Sequence, residues 1–305
     1  MSIARKILFN TASQIVGKGI IALLGILVVK LVTGYLGKSG YGEYTAAFEF
    51  LAFFSIVADL GLYTIGVREM AKDEQKMPMI IGNILTIRTV ISVLMVALAV
   101  VAAFFIPQYQ GTRVALGVAL AGIAAIFNML TSTISTVLQV HLKMQYNSLA
   151  SVGGKFITVG YMILIIFVLH PTNKIDGFYH LIFGGILGSG TMLLMTYYYS
   201  SKLTKIRYRI DLEFWKDVIV KALPYGLALV LNTVYFRIGS VLLSLMKTPA
   251  DVGIYGVPMR ILETIGIIPL YFMNAVLPVL TRSLNKKDGS HQKIIQYAFD
   301  FLVMG

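Results

Sequence analysis

The sequence predicts an all-α polytopic membrane protein, with one six-helix lobe and the beginning of a second, pseudo-symmetric lobe. Three observations carry this. Eight stretches are apolar over the length a spanning helix needs, which is roughly 20 residues. Hydrophobic residues make up 57% of the 305 and charged residues 13%, with mean hydropathy +0.79. A soluble domain carries about 25% charged residues, and one soluble core cannot absorb this much apolar sequence. Finally, several stretches hold a lone lysine or arginine near mid-helix. A cation at membrane depth is expected to face something polar or anionic.

Taken in order, helices are expected over 8–33, 42–66, 79–106, 113–138, 148–169, 178–200, 218–246 and 252–281, with a ninth starting near 291. Arg5 and Lys6 ahead of an apolar run resemble a secretory signal. Lys18 interrupts that run and no small-x-small cleavage site follows, so it reads as a retained first spanning helix. The turn Gly34-Tyr35-Leu36-Gly37-Lys38-Ser39-Gly40 separates the first two helices, Pro107 closes the third, and His170-Pro171-Thr172-Asn173-Lys174 closes the fifth. Gly184 and Gly188 form a small-xxx-small packing motif in the sixth. Pro224, Pro258, Pro269 and Pro278 fall in the seventh and eighth, where proline removes a backbone hydrogen bond and bends a helix.

Loop charge gives orientation. With the N-terminus inside, the cytoplasmic segments hold 15 basic residues, and the outside loops hold 4: Lys38, Arg113, Lys174 and Lys247. This asymmetry predicts a multi-pass protein of the cell membrane with a cytoplasmic N-terminus. It also accounts for a net charge of +12 without nucleic acid. The remaining 7 basic residues lie inside helices: Lys18, Lys30, Arg88, Lys155, Lys221, Arg237 and Arg260. Lys30 and Lys221 are near helix ends, where their long stems reach the interface.

Polar residues form stripes around these cations. Asn10, Gln14 and Lys18 recur every fourth residue in helix one, with Gly25 close to the same face. Asn128, Ser132, Ser135 and Gln139 do so in helix four, Ser148, Ser151, Lys155 and Thr158 in helix five, and Thr233, Arg237, Ser240 and Ser244 in helix seven. Spacings of three and four place each set on one helix face. The uncharged members could equally hold helices together. A charge at the bilayer centre costs about 2.5–3.5 kcal/mol even on mild scales, so Lys18, Arg88, Lys155 and Arg237 are expected to share one central space. Glu49 and Asp59 in helix two, and Glu263 three residues after Arg260, are the intramembrane acids. Glu263 suits a local pair with Arg260. Glu49 and Asp59 could pair with basic residues of a neighbouring helix, or couple an ion or proton. Seven cations against three acids favour an anionic ligand over a cationic drug.

Other chemistry is not expected. The chain has no cysteine, which removes disulfides and thiolate catalysis. His141, His170, His180 and His291 lack metal-ligand spacing. No glycine-rich phosphate loop and no paired acids beside a helix suggest an enzyme, and no cofactor or metal is expected.

Two segments repeat. Gly40-Tyr41-Gly42-Glu43-Tyr44 joins helices one and two, and Asp251-Val252-Gly253-Ile254-Tyr255 joins seven and eight. In each, a Gly-x-Tyr opens the second helix, and the basic linker 201–217 lies between the copies. This predicts a first lobe over 1–205 and an incomplete second over 206–305, the plan of transporters built from parallel repeats. The opening Phe9-Asn10-Thr11-Ala12-Ser13-Gln14, the hinge Tyr35-Leu36-Gly37-Lys38-Ser39-Gly40-Tyr41-Gly42-Glu43-Tyr44, then Asp59-Leu60-Gly61-Leu62 and Arg68-Glu69 resemble the polysaccharide flippases. These are the O-antigen and capsule repeat-unit translocases of the multidrug/oligosaccharidyl-lipid/polysaccharide exporter superfamily.

The resemblance implies two six-helix lobes around a V-shaped cavity. It also implies alternating-access movement of a lipid-pyrophosphate-linked oligosaccharide, with polysaccharide-assembly proteins as partners. The expected substrate-binding residues are Lys18, Arg88, Lys155, Arg237, Arg260, Gln14 and Asn10, and the expected coupling residues are Glu49, Asp59 and Glu263. Residues 291–305 leave about 14 for the ninth helix, or about 21 Å at 1.5 Å per residue, against a core of about 30 Å, so the chain reads as incomplete. The alternatives are a cation-coupled multidrug exporter of the same superfamily and a non-transport scaffold in polysaccharide assembly.

Overall fold

A computed structural model describes residues 3–59, 61–169, 171, 173–265, 292, 295–296 and 299–300; within them, the side chains of 3–11, 56–57, 174, 229, 232–233, 236–237 and 263–265 lie outside the description. Everything described is helix or short connection. The chain divides into a large unit, Met1–Gly256, and a small one, Val257–Gly305. The helices are α1 (Ile3–Asp59), α2 (Leu62–Lys72), α3 (Met77–Phe105), α4 (Val114–Val140), α5 (Met144–Leu164), α6 (Lys174–Ser201), α7 (Leu212–Met246) and α8 (Pro249–Ile265). Five segments, Ala12–Ser55 within α1, Glu74–Phe105, Val114–Val140, Met144–Leu169 and Ile175–Ser201, are long and apolar enough to cross a membrane. Leu23, Leu94, Phe105 and Leu194 are among the large apolar side chains left exposed on them, as lipid-facing surface requires.

The expected first and second helices form one run, and the expected seven-residue turn shrinks to Gly37 (φ 73°, ψ −176°). Positive φ costs a residue with a Cβ about 1–2 kcal/mol and glycine almost nothing. A single glycine therefore redirects the chain, and helix resumes at once through Ser39 and Gly40. The second arm of α1 stops at Asp59, short of the expected 66, because Gly61 also adopts positive φ (74°) and opens a separate helix. α2 buries Leu62, Ile65, Gly66 and Met70, and its apolar residues join Ile81, Ile84 and Ile87 of α3 and Val218 and Ala222 of α7 in a core cluster.

Caps mark several other starts. Asp73 accepts from the N–H groups of Gln75 (3.0 Å) and Lys76 (3.4 Å) ahead of α3. Asn173 accepts from Ile175 N–H (2.9 Å) at α6, and Asp211 from Phe214 N–H (3.1 Å) at α7. At α8, Thr248 and Asp251 satisfy each other's backbone N–H groups, a reciprocal cap. α5 runs on through a π turn, Ile165–Leu169. Pro224 and Pro258 lie inside α7 and α8. Pro269, Pro278, the end of the expected eighth helix and most of the ninth lie outside the described residues.

The linker 202–211 is an ordered strap. Arg209 N–H donates to Gly82 O (3.3 Å) and Thr86 Oγ1 (3.1 Å) on α3. Buried Asn83 Oδ1 accepts from Asp211 N–H (2.8 Å) and Trp215 Nε1–H (2.9 Å). A side chain at Gly82 would overlap the Arg207 carbonyl, so the strap lies directly on the α3 backbone. On the other side of the bundle α5 and α6 cross closely. Gly188 has no room for a methyl group beside Thr158 and Gly154, the packing use expected of small residues. In the small unit, Arg260 is exposed on α8, and Gln296 donates to Asp300 Oδ1 (2.8 Å) one helical turn on.

Candidate functional site

Two adjoining chambers lie inside the large unit. The first, about 350 Å³, is lined by Gln14, Gly17, Lys18 and Ile21 of α1, Tyr63 of α2, Asn128, Thr131, Ser132 and Ser135 of α4, Met144, Asn147, Ser148 and Ser151 of α5, and Met192 of α6. The second, about 430 Å³, is lined by Phe48, Leu51, Ala52, Ser55 and Asp59 of α1, Arg88 of α3, and Ala121, Ala124, Ala125, Asn128, Met129 and Ser132 of α4. Asn128 and Ser132 border both.

The polar stripes of helices one, four and five converge on the first chamber through Gln14, Lys18, Asn128, Ser132, Ser135, Ser148 and Ser151. Helix geometry explains the convergence: each set spaced by three or four forms a row, and the rows of α1, α4 and α5 face one another where these helices pack. Lys18 is exposed into the chamber, and among its described lining residues there is no carboxylate. Amide and hydroxyl groups surround the one cation.

Arg88 lies in the second chamber. Its side chain is only 3% exposed, and its Nη1 lies 2.6 Å from Asp59 Oδ1, while Asp59 is 25% exposed. Asp59 is thus an ion-pair partner to a cation on a neighbouring helix. The approach is close, and Arg88 Nε, although buried, has no hydrogen-bond partner among the described residues. The chamber wall here is charge-compensated, unlike that around Lys18.

Two further expected residues among those described, Lys155 and Glu49, are half-buried and lie outside both chambers. Arg260 belongs to the small unit. The side chains of Asn10, Arg237 and Glu263 lie outside the described residues.

Residues outside the expected set complete the site. Tyr63 donates its hydroxyl proton to Gln139 Oε1 and lines the first chamber from α2; its position just after Asp59-Leu60-Gly61-Leu62 was the available signal. At one end of the bundle Arg113 pairs with Glu43 and lies 5.1 Å from the centre of the Phe178 ring. The Tyr109 hydroxyl meets Ser244 Oγ at 2.7 Å. Burial raises the Tyr109 phenol above its ordinary pKa, and the Ser244 contact opposes this.

The repeated Gly-x-Tyr segments meet at that same end. A methyl group on Gly42 would overlap the Pro249 carbonyl and lie 3.0 Å from Gly253 N; one on Gly253 would overlap the Lys38 carbonyl and lie 3.2 Å from Gly42 N. Lys38 precedes Gly42 by four residues, as Pro249 precedes Gly253. Three residues after each glycine, Thr45 packs on Gly256, a methyl there falling 3.0 Å from Thr45 Cγ2. The contact is thus two-fold symmetric within one chain.

The sequence family described as "Polysaccharide biosynthesis protein" matches residues 7–284. No curated protein matches the chain. Among solved structures, the MATE multidrug transporter DinF-BH is similar over 98% of this chain and 70% of its own, with TM-score 0.66 and 15% identity. An outward-facing MATE family transporter of the MOP superfamily is similar over 98% and 69%, again at TM-score 0.66 and 15% identity. A MOP superfamily transporter from Pyrococcus furiosus, described as having a binding pocket of reverse polarity, is similar over 96% and 76% with TM-score 0.56 and 15% identity. With the helical order and the membrane-length segments, these likenesses establish a multi-pass membrane protein with the same fold as those structures, and the match over residues 7–284 places the chain in the polysaccharide biosynthesis protein family.

Proposed function

We propose that this chain moves a lipid-pyrophosphate-linked oligosaccharide across the cell membrane by alternating access, supplying cell-surface polysaccharide synthesis. The observation that carries this reading is the first chamber: Lys18 faces a space walled by amides and hydroxyls with no carboxylate among its described lining residues. A pyrophosphate crossing the bilayer core needs its hydration and counter-ions replaced. Lys18, with Gln14 and Asn10 on the same row of α1, offers a cation and amide donors, and an electrostatic contact is stronger away from bulk water. Arg237 belongs to α7, the counterpart of the first arm of α1 in the repeat, and is assigned the opposing cation. Lys155 and Arg260 extend the basic set, Arg88, its charge offset by Asp59, faces another part of the same substrate from the second chamber, and Glu49, Asp59 and Glu263 are assigned to ion or proton coupling. The two lobes of this reading are 1–205 and 206–305, with the N-terminus in the cytoplasm. A cationic drug would meet Lys18 with repulsion.

The test is complementation of a flippase-deficient strain by the gene carrying Lys18→Glu or Arg237→Glu, with membrane abundance measured in parallel. Charge reversal at either site is expected to abolish polysaccharide display at unchanged abundance. Full display by both variants would remove the pyrophosphate role from these cations.

A further inference from the structure

We infer that the second chamber is a binding site for the uncharged sugar, separate from the site of the anionic head. The inference rests on the flipping reading above. The first observation is charge. Arg88 is offset by Asp59 at 2.6 Å, so this chamber, unlike that of Lys18, presents no net cation to an anion. The second is unused bonding capacity. Arg88 Nε is buried without a hydrogen-bond partner among the described residues. Buried polar groups are ordinarily satisfied, and an exception calls for a ligand, water or other cause.

These groups select among ligands. A guanidinium only donates and a carboxylate only accepts, whereas a hydroxyl does both. A sugar hydroxyl can donate to Asp59, which keeps 25% of its side-chain exposure, and accept from the edge of the guanidinium beside it. A phosphate accepts but cannot donate, and it is repelled by Asp59. An ammonium donates but cannot accept, and it is repelled by Arg88. Phe48 supplies an aromatic face for the C–H side of a sugar ring, and Asn128 supplies an amide. Small side chains such as Ala52 and Ala125 leave the space. The volume, 430 Å³, lies within the range of about 300–1,000 Å³ usual for small-ligand sites. Asn128 and Ser132 border both chambers, so sugar and head group occupy neighbouring spaces, as one covalently joined molecule demands.

The test is equilibrium binding to the purified chain in nanodiscs. The probes are a short-chain polyprenyl pyrophosphate, bare or carrying a neutral disaccharide from a panel of hexoses and N-acetylhexosamines. For the wild type, at least one sugar-bearing lipid is expected to bind about tenfold more tightly than the bare lipid, a gain of one decade in affinity. Ala125→Phe on α4 and Ala52→Phe on α1 each fill the chamber from a different helix. Each is expected to erase that gain while leaving the bare-lipid affinity unchanged, and Lys18→Gln should weaken both ligands by the same factor. A gain that survives both filled variants, or a panel in which no sugar adds affinity, overturns the sugar site and leaves the flipping reading standing. Failure of the wild type to bind any pyrophosphate lipid overturns both.

Discussion

At the scale of the residue, Arg88 shows how context decides what a charge does. The sequence groups it with Lys18 as a mid-helix cation. The structure separates them: Lys18 opens into a polar chamber, and Arg88 is committed largely to Asp59. Breaking a buried pair by removing one partner leaves an uncompensated charge, at a cost of about 3–5 kcal/mol. Arg88→Met is therefore expected to destabilise the protein by about 3 kcal/mol, the low end of that range, because Asp59 keeps 25% of its side-chain exposure. Adding Asp59→Leu should recover most of the loss. A double-mutant cycle on thermal unfolding in detergent measures the coupling, and equal losses in the single and double variants would mean that the pair is not the source. The stripes of Gln14, Lys18, Ser132 and Ser148 are legible in sequence because helical spacing alone sets their faces. The partnership of Arg88 with Asp59 is not, because residues 29 positions apart meet only through the packing of α1 on α3.

At the scale of the element, hydropathy locates the helices well and their interruptions poorly. Gly37 and Gly61 are two of 28 glycines, and nothing local distinguishes the positions that take positive φ. The strap 202–211 is invisible for a different reason. Its basic composition reads as a solvated linker, yet its anchors are bonds to Gly82, Asn83 and Thr86, more than a hundred residues earlier. The crossing of α1 on the start of α8 yields a sharp prediction. Gly42→Val places a branched side chain where the Pro249 carbonyl sits, and overpacking of this kind costs about 1–3 kcal/mol or more. The variant is expected to lower the unfolding midpoint. It should also raise the reactivity of a cysteine introduced in place of Ala250, since the two segments must part. Gly42→Val with wild-type stability and an unreactive thiol at position 250 would show that the crossing is dispensable.

At the scale of the whole molecule, the charge asymmetry between connections predicts the orientation of the chain. Because the protein has no cysteine, single cysteines report topology cleanly. One placed at Ser39 or Asn173 is expected to react with an impermeant reagent from outside the cell, and one at Lys205 only after the membrane is opened; labelling at Ser39 or Asn173 from the cytoplasmic face alone reverses the orientation. The connections at the Ser39 end also hold the Gly42–Gly253 contact, and its symmetry has a consequence. Each half offers the other the same surface it receives, which is the definition of an isologous interface. Two copies of one such segment could meet through this patch as the subunits of a homodimer do. Positions 42 and 253, and likewise 38 and 249, are therefore expected to evolve as pairs, each limiting the bulk the other can carry.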